Sequence, residues 1–144
     1  VDAYDIRPTA RRELAVRTAR AKLTRVSILA APAIASYDGV LVDAPCTGSG
    51  TWRRAPHLKW TTSAGDVAKS AERQTALLAE FSARVRPGGR LIYATCSLSG
   101  MENEEVVAAF LAAHADFAAD APARTILPAT HNTDGFFVAA LRRR

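Results

Sequence analysis

Gly39-Val40-Leu41-Val42-Asp43-Ala44-Pro45-Cys46 decides how the rest of the chain is read. The short apolar run Gly39 to Val42 follows a turn signal, Ser36-Tyr37-Asp38. Such a run reads as a buried strand of a parallel sheet covered on both faces. A polar loop then runs from Asp43 to about Ser63. Asp66 to Val85 reads as an amphipathic helix, with Leu77, Leu78, Phe81 and Val85 near helical spacing. Arg86-Pro87-Gly88-Gly89 stops it, and Arg90 to Ala94 is the next strand.

The alternation continues on both sides. Upstream, Val1 to Tyr4 reads as a strand end, Thr9 to Lys22 as a helix and Arg25 to Leu29 as a strand. Downstream, Ser99 with Glu102 three residues later forms a capping box, and the helix runs on through Val106, Val107, Phe110 and Leu111. The turn signal Asn132-Thr133-Asp134-Gly135 precedes a last strand, Phe136 to Leu141. This order predicts an α/β fold with a doubly wound, mostly parallel sheet. Such sheets bind ligands at the carboxyl ends of their strands. Asp5, Asp43 to Cys46, and Thr95-Cys96-Ser97 all fall there, so two cysteines and two carboxylates are expected on one rim.

Composition agrees with a folded domain. The chain has 144 residues, 49% hydrophobic and 23% charged, which excludes a disordered chain. No apolar run approaches the ~20 residues of a membrane helix. Val1 to Asp5 has no basic region followed by an apolar stretch, as a signal peptide would. The net charge of +5 comes from 19 basic and 14 acidic residues, and Arg dominates the basic ones. That favours a polyanionic partner, although Arg142-Arg143-Arg144 places three charges in the tail. Two cysteines and three scattered histidines form neither a disulfide scaffold nor a zinc pattern, so two reduced thiols in a cytosolic chain are expected.

Asp43-Ala44-Pro45-Cys46-Thr47-Gly48-Ser49-Gly50 reads as a loop around a small buried cysteine, or as a ligand loop with Cys46 facing the cleft. It is a poor phosphate loop, since Gly48-x-Gly50 lacks a third glycine and a lysine. Cys96 ends a strand just before a helix, where the helix N-terminus favours a thiolate. Arg53-Arg54-Ala55-Pro56-His57-Leu58-Lys59-Trp60 mixes cations with an aromatic, a pattern that suits phosphates and a stacked base, or simply a solvated loop with a packed Trp.

Three strings carry a resemblance: VLVDAPCTGSGTWRRAPHLKW from Val40, RPGGRLIYATCSLSGMENEEVV from Arg86, and HNTDGFFVAALRRR from His131. Together they resemble the RNA (cytosine-5)-methyltransferases of the RsmB and Nop/Sun type, over almost the whole chain. The resemblance implies a class I, Rossmann-like methyltransferase domain with S-adenosylmethionine as cofactor. The substrate is RNA, ribosomal first and transfer RNA second, and the location is cytoplasmic, with no membrane or metal partner. It implies Cys96 as nucleophile, Cys46 as the thiol that helps release product, and Asp43 on the cytosine edge. Asp43 and Pro45 would border the cofactor, and Asp5 would hold its ribose, with Asp2 a second choice. Arg53, Arg54 and Lys59 would meet RNA, Arg54 and Pro56 matching a recurrent Arg-x-Pro.

The chemistry is coherent. Cytosine C5 is a poor nucleophile until a thiolate adds at C6, and the base must leave its stack for a thiol to reach it. Against the family pattern, the first strand and its glycine-rich loop are expected before Val1. Ile28-Leu29-Ala30-Ala31-Pro32 offers no aspartate for the adenine. Residues 1–144 therefore read as the C-terminal part of a catalytic domain, needing the upstream part for strong activity. Two rival readings are a non-catalytic RNA-binding remnant and a cysteine hydrolase pairing Cys96 or Cys46 with His57 or His131. No Cys-His-Asn pattern supports the second.

Overall fold

A computed structural model describes all residues, 1–144, as two compact units, Val1–Ala35 and Ser36–Arg144. In the first, strand β1 (Asp2–Ala3) pairs in parallel with β2 (Ser27–Ile28), and helix α1 (Pro8–Arg20) connects them. Pro8 opens α1 with the fixed φ that a first helical position accepts, and Arg17 and Arg20 stand in its last turn, where cations suit the helix dipole. The helix ends two residues before the expected Lys22. That residue instead takes a left-handed φ of 54°.

The second unit carries the core. Its elements are β3 (Tyr37–Asp43), a 3-10 turn at Ser49–Thr51, α2 (Leu58–Thr61), α3 (Ala64–Ser82), β4 (Val85–Thr95), a 3-10 turn at Gly100–Glu102, α4 (Glu104–Ala113), β5 (Phe117–Ala119), β6 (Arg124–Ile126), α5 (Pro128–His131) and β7 (Phe136–Arg143). The sheet order is β3-β4-β7-β5, and β6 also pairs with β7. β3 and β4 are parallel, whereas β7 is antiparallel to β4, β5 and β6. Within this sheet every strand but β7 therefore points one way, as the α/β alternation predicts.

The core lies on one face of this sheet. Val42, Leu91, Tyr93, Phe137, Ala139 and Leu141 alternate along their strands and pack with Leu78 of α3 and Val106 and Phe110 of α4. β3 departs from the expectation of two covered faces: Val42 is 6% exposed but its neighbour Leu41 is 67% exposed. The reason is that α3 and α4 pack together on the same side, and β3 is an edge of the five-stranded sheet. No helix is long and apolar enough to cross a membrane.

Two boundaries also move. Ser63 and Asp66 form a reciprocal capping box, so α3 begins at Ala64 rather than Asp66. At its far end, Val85 lies in β4 and not in the helix. Val85 sits opposite Tyr37 and Arg90 opposite Gly39, so residues 86–89 form a bulge. Gly88 has φ +76° there, and a side chain on Gly89 would lie 2.9 Å from the Arg86 carbonyl oxygen. The terminal arginines are not a free tail. Arg142 and Arg90 both grip Asp120 through Nε at 2.7 Å, and Arg143 pairs with Asp116 at 3.1 Å.

Candidate active site

β3 and β4 run side by side and end together, with Asp43 opposite Ala94. The ladder extends one step further, as Ala44 N–H donates to the Ala94 carbonyl at 2.9 Å. Because the two strands are parallel, the loops that leave them emerge at the same rim. These loops carry Cys46 and Cys96 to a sulfur–sulfur distance of 3.3 Å. Both thiols are free. The separation suits a hydrogen bond and is well beyond the ~2.05 Å of a disulfide.

The pair is electrostatically unequal. Cys96 is brought from 9.0 down to about 7, chiefly because the Cys46 thiol donates to it. Burial and the charges of Asp43 and Glu102 act in the opposite direction. Cys46 is pushed up, first by holding its proton toward Cys96 and then by burial. The helix N-terminus expected to favour the thiolate is not the cause. After Cys96 the chain makes a 3-10 turn at Gly100–Glu102, and α4 begins only at Glu104.

Glu102 departs from the expected capping box. Ser99 makes no side-chain cap, and the Glu102 side chain turns inward, fully buried. Its Oε1 accepts from Thr47 N–H at 2.8 Å and from Gln74 Nε2 at 3.2 Å. Its Oε2 accepts from Thr47 Oγ1 and Ser97 Oγ, each at 2.5 Å. Gln74 also donates to the Pro45 carbonyl at 2.9 Å. The next residue, Asn103, accepts from Thr95 Oγ1 at 2.6 Å and donates to the Ser97 carbonyl at 2.9 Å. The sequence gives Gln74 and Asn103 no site role and marks Glu102 only as a helix cap. The visible signal was a Glu and an Asn just downstream of Thr95-Cys96-Ser97, read locally as a cap.

A second clamp is made of backbone. Gly50 N–H donates to the Cys96 carbonyl at 2.9 Å, and Gly135 N–H donates to the Gly50 carbonyl at 2.8 Å. A Cβ on Gly50 would lie 2.2 Å from the Gly135 oxygen, so the contact requires glycine. Asp134, just before Gly135, accepts from Arg54 Nε at 2.6 Å. That bond holds the Asp134 carboxyl below its ordinary range.

The remaining expected residues fall as follows. Asp43 is exposed at the end of β3, within electrostatic reach of Cys96. Pro45 is exposed, with its carbonyl taken by Gln74. Arg53 is exposed, and Arg54 is bound to Asp134 although 65% of its side chain remains exposed. Lys59 lies 5.5 Å from the ring centre of Trp60, which is 82% exposed. Asp5 lies in the Val1–Ala35 unit. There Arg7 donates to it through its backbone N–H at 2.8 Å and through Nε and a terminal guanidinium nitrogen, at 3.0 and 2.8 Å. These bonds bring its carboxyl down to about 2.

The histidines are engaged elsewhere. His114 stacks on Phe110, and His131 Nδ1 contacts Thr130 Oγ1 at 2.7 Å and the Leu127 carbonyl at 3.2 Å. His57 precedes α2 as its N-cap. No group of three or more His, Cys, Asp or Glu side chains could hold a metal ion.

Comparison with known proteins identifies the family. The family described as 16S rRNA methyltransferase RsmB/F matches residues 12–142. A protein of Bacillus subtilis named "Probable ribosomal RNA small subunit methyltransferase B" is 39% identical over 124 residues, covering 75% of this chain and 28% of its own length. The "Ribosomal RNA small subunit methyltransferase B" of Vibrio vulnificus is 41% identical over 110 residues, covering 73% of this chain and 26% of its own length. The chain thus spans about a quarter of the length of these curated relatives. Among solved structures, "NSun6 from Pyrococcus horikoshii with SFG" superposes at a TM-score of 0.86 with 25% identity, over 99% of this chain and 41% of that one. A "Methyltransferase Homolog Protein" of the same organism gives a TM-score of 0.81 at 27% identity, over 99% of this chain and 53% of that one.

Proposed function

Because the chain belongs to the 16S rRNA methyltransferase RsmB/F family, we propose that it carries the catalytic rim of an S-adenosylmethionine-dependent RNA cytosine-5 methyltransferase, with ribosomal RNA the first candidate substrate and transfer RNA the second. The observation that supports this reading most is the pair of free thiols 3.3 Å apart, with Asp43 at the same rim.

Cys96 is the nucleophile, since its proton is the more easily lost. Its Sγ adds to cytosine C6, and the C5=C6 electrons become available for attack on a methyl group. Asp43 hydrogen-bonds the cytosine edge, and a proton held between its carboxyl and N3 eases the addition. S-adenosylmethionine, when bound, supplies an electrophilic methyl group. Asp43, with Pro45 beside it, is a carboxyl group that suits the cationic centre, and Asp5, in the Val1–Ala35 unit, is a carboxyl group that suits the ribose hydroxyls. Asp5 fits less openly than Asp43, because Arg7 already takes both of its oxygens.

Release follows from the same pair. Once Cys96 is a thioether it no longer accepts the Cys46 proton, and the main cause that holds Cys46 protonated disappears. Cys46 then gives its proton to solvent and takes the one on C5. The C5–H electrons restore the C5=C6 bond and expel Cys96 as a thiolate. One proton is released per methyl transferred. Arg53, Arg54 and Lys59 supply phosphate contacts, and exposed Trp60 supplies a face for a base.

RNA bearing 5-fluorocytidine at the target tests the scheme. After methyl transfer C5 carries no proton, so elimination stops and a covalent adduct persists. Loss of the adduct in Cys96→Ala and its retention in Cys46→Ala are expected. An adduct that survives Cys96→Ala would refute the nucleophile assignment. With ordinary RNA, Cys46→Ala accumulates adduct.

A further inference from the structure

We propose that Glu102 is a positioning residue: its buried carboxylate ties the residue after Cys46 to the residue after Cys96 and so sets the two sulfurs face to face. The inference rests on the proposed role of the thiols, but its test does not require methyl transfer.

Each cysteine is held through both of its chain neighbours. Pro45 and Thr47 flank Cys46, and they are bound by Gln74 and Glu102. Thr95 and Ser97 flank Cys96, and they are bound by Asn103 and Glu102. Glu102 is the member that contacts both loops directly, and its main-chain carbonyl also accepts from Tyr93 OH at 2.6 Å. The consecutive inward turn of Glu102 and Asn103 comes from the break between the 3-10 turn and α4, where Asn103 has φ −118° and ψ −92°.

A carboxylate suits this site best. Four groups point at it: Thr47 N–H and Gln74 Nε2, which can only donate, reach Oε1, and the Thr47 and Ser97 hydroxyls donate to Oε2. An amide in its place can keep its oxygen toward Thr47 N–H and Gln74, but its NH2 makes both hydroxyls turn round and accept, which replaces two charge-assisted bonds with weaker neutral ones. The direct charge effect has the opposite sign from the positioning effect. The Glu102 charge by itself raises Cys96, so removing charge alone would lower it further. Loss of position instead separates Cys96 from the Cys46 thiol that lowers it.

The experiment compares the 144-residue chain with Glu102→Gln and Glu102→Asp. Asp43 and Arg54, the other charged groups felt at Cys96, are unchanged in both. Alkylation of Cys96 by iodoacetamide is followed across pH by mass spectrometry. Diamide oxidation reports pairing, as two thiols become one disulfide while the diazene is reduced to a hydrazine. Circular dichroism reports the fold. In Glu102→Gln the alkylation midpoint moves up, the rate at neutral pH falls roughly tenfold or more, and the disulfide yield drops. Glu102→Asp, which keeps the acceptors, recovers part of each.

A folded Glu102→Gln with a midpoint unchanged or moved down, and with the original disulfide yield, overturns the proposal. If Glu102→Gln does not fold, Thr47→Val and Ser97→Ala each remove one hydroxyl donor from the same carboxylate. An unchanged profile in both overturns it equally. A shifted profile in a chain that never forms an RNA adduct would sink the proposed function and leave the bracing of the thiol pair standing.

Discussion

Cys46 Sγ lies 3.3 Å from Cys96 Sγ, although fifty residues of chain separate them. The contact follows from two parallel strands that end in register, with Asp43 opposite Ala94. Sharing one proton across that contact draws the two thiols apart in acidity, Cys96 down and Cys46 up.

Cys46→Ala removes the main cause that lowers Cys96. The Cys96 alkylation midpoint therefore rises from about 7 toward the ordinary thiol value of 9.0. Thiolate at neutral pH decreases, and alkylation slows by one to two orders of magnitude, roughly tenfold per unit. A pH–rate profile identical to that of the unmodified chain would contradict the donor role of Cys46.

Gly50→Ala forces a Cβ to 2.2 Å from the Gly135 oxygen and 2.8 Å from the Cys96 oxygen, both backbone atoms. It is expected to destabilise the fold by about 1–3 kcal/mol and to abolish the RNA adduct. Gly65→Ala is the control: its Cβ meets only Ser63 Oγ, at 3.6 Å, inside α3. That change gains up to about 1 kcal/mol of helix propensity. Urea unfolding of both variants checks the contrast, and equal midpoints would count against it.

Tyr93→Phe leaves the Glu102 carbonyl without its buried donor at 2.6 Å. A loss of about 1–3 kcal/mol is expected, read as a lower denaturant midpoint at unchanged slope. A change within a few tenths would show that solvent replaces the bond.

Asp120, gripped by Arg142 and Arg90, has a folded-state pKa held below the ordinary carboxylate value. The unfolded chain therefore binds a proton first as acidity rises. The stabilising contribution is present above the ordinary carboxylate range and is lost as pH falls from about 4 downward. Asp120→Asn should flatten this part of the acid-side loss of stability. Denaturation midpoints measured over an acidic pH series test it, and parallel curves for the two proteins would reject the assignment.

Arg53→Ala and Lys59→Ala should each weaken RNA binding and reduce the salt slope by about 0.7–0.9. Trp60→Ala should cost about 1–3 kcal/mol if a base stacks there. Arg54→Ala differs, because it also releases Asp134 beside the Gly135–Gly50–Cys96 chain of backbone bonds. It should therefore slow Cys96 chemistry as well as weaken binding. Affinity measured across a salt series, with alkylation in parallel, separates the two effects.

Much of the frame was legible from local pattern. The run Gly39 to Val42, the interruption at Pro87-Gly88-Gly89 and the α/β alternation depend on residues within a turn or two of each other, so periodicity and turn chemistry reveal them. The short strands Phe117–Ala119 and Arg124–Ile126 went unread, because their Ala and Arg carry little strand preference and only pairing with β7 makes them strands. Val85 fits the helical spacing of Leu78 and Phe81 equally well, yet the sheet claims it opposite Tyr37.

By itself, the sequence determined that Cys46 and Cys96 each follow a strand, and thus that both belong to one rim of a parallel sheet. Only the tertiary structure decided that the two sulfurs come within 3.3 Å, that Glu102 leaves the helix cap for Thr47 and Ser97, and that Arg54 turns to Asp134. The physical reason is range. Strand and turn preferences are set by near neighbours, whereas the partners of a buried carboxylate are chosen by which donors burial leaves without water. Those donors come from residues far away in the chain.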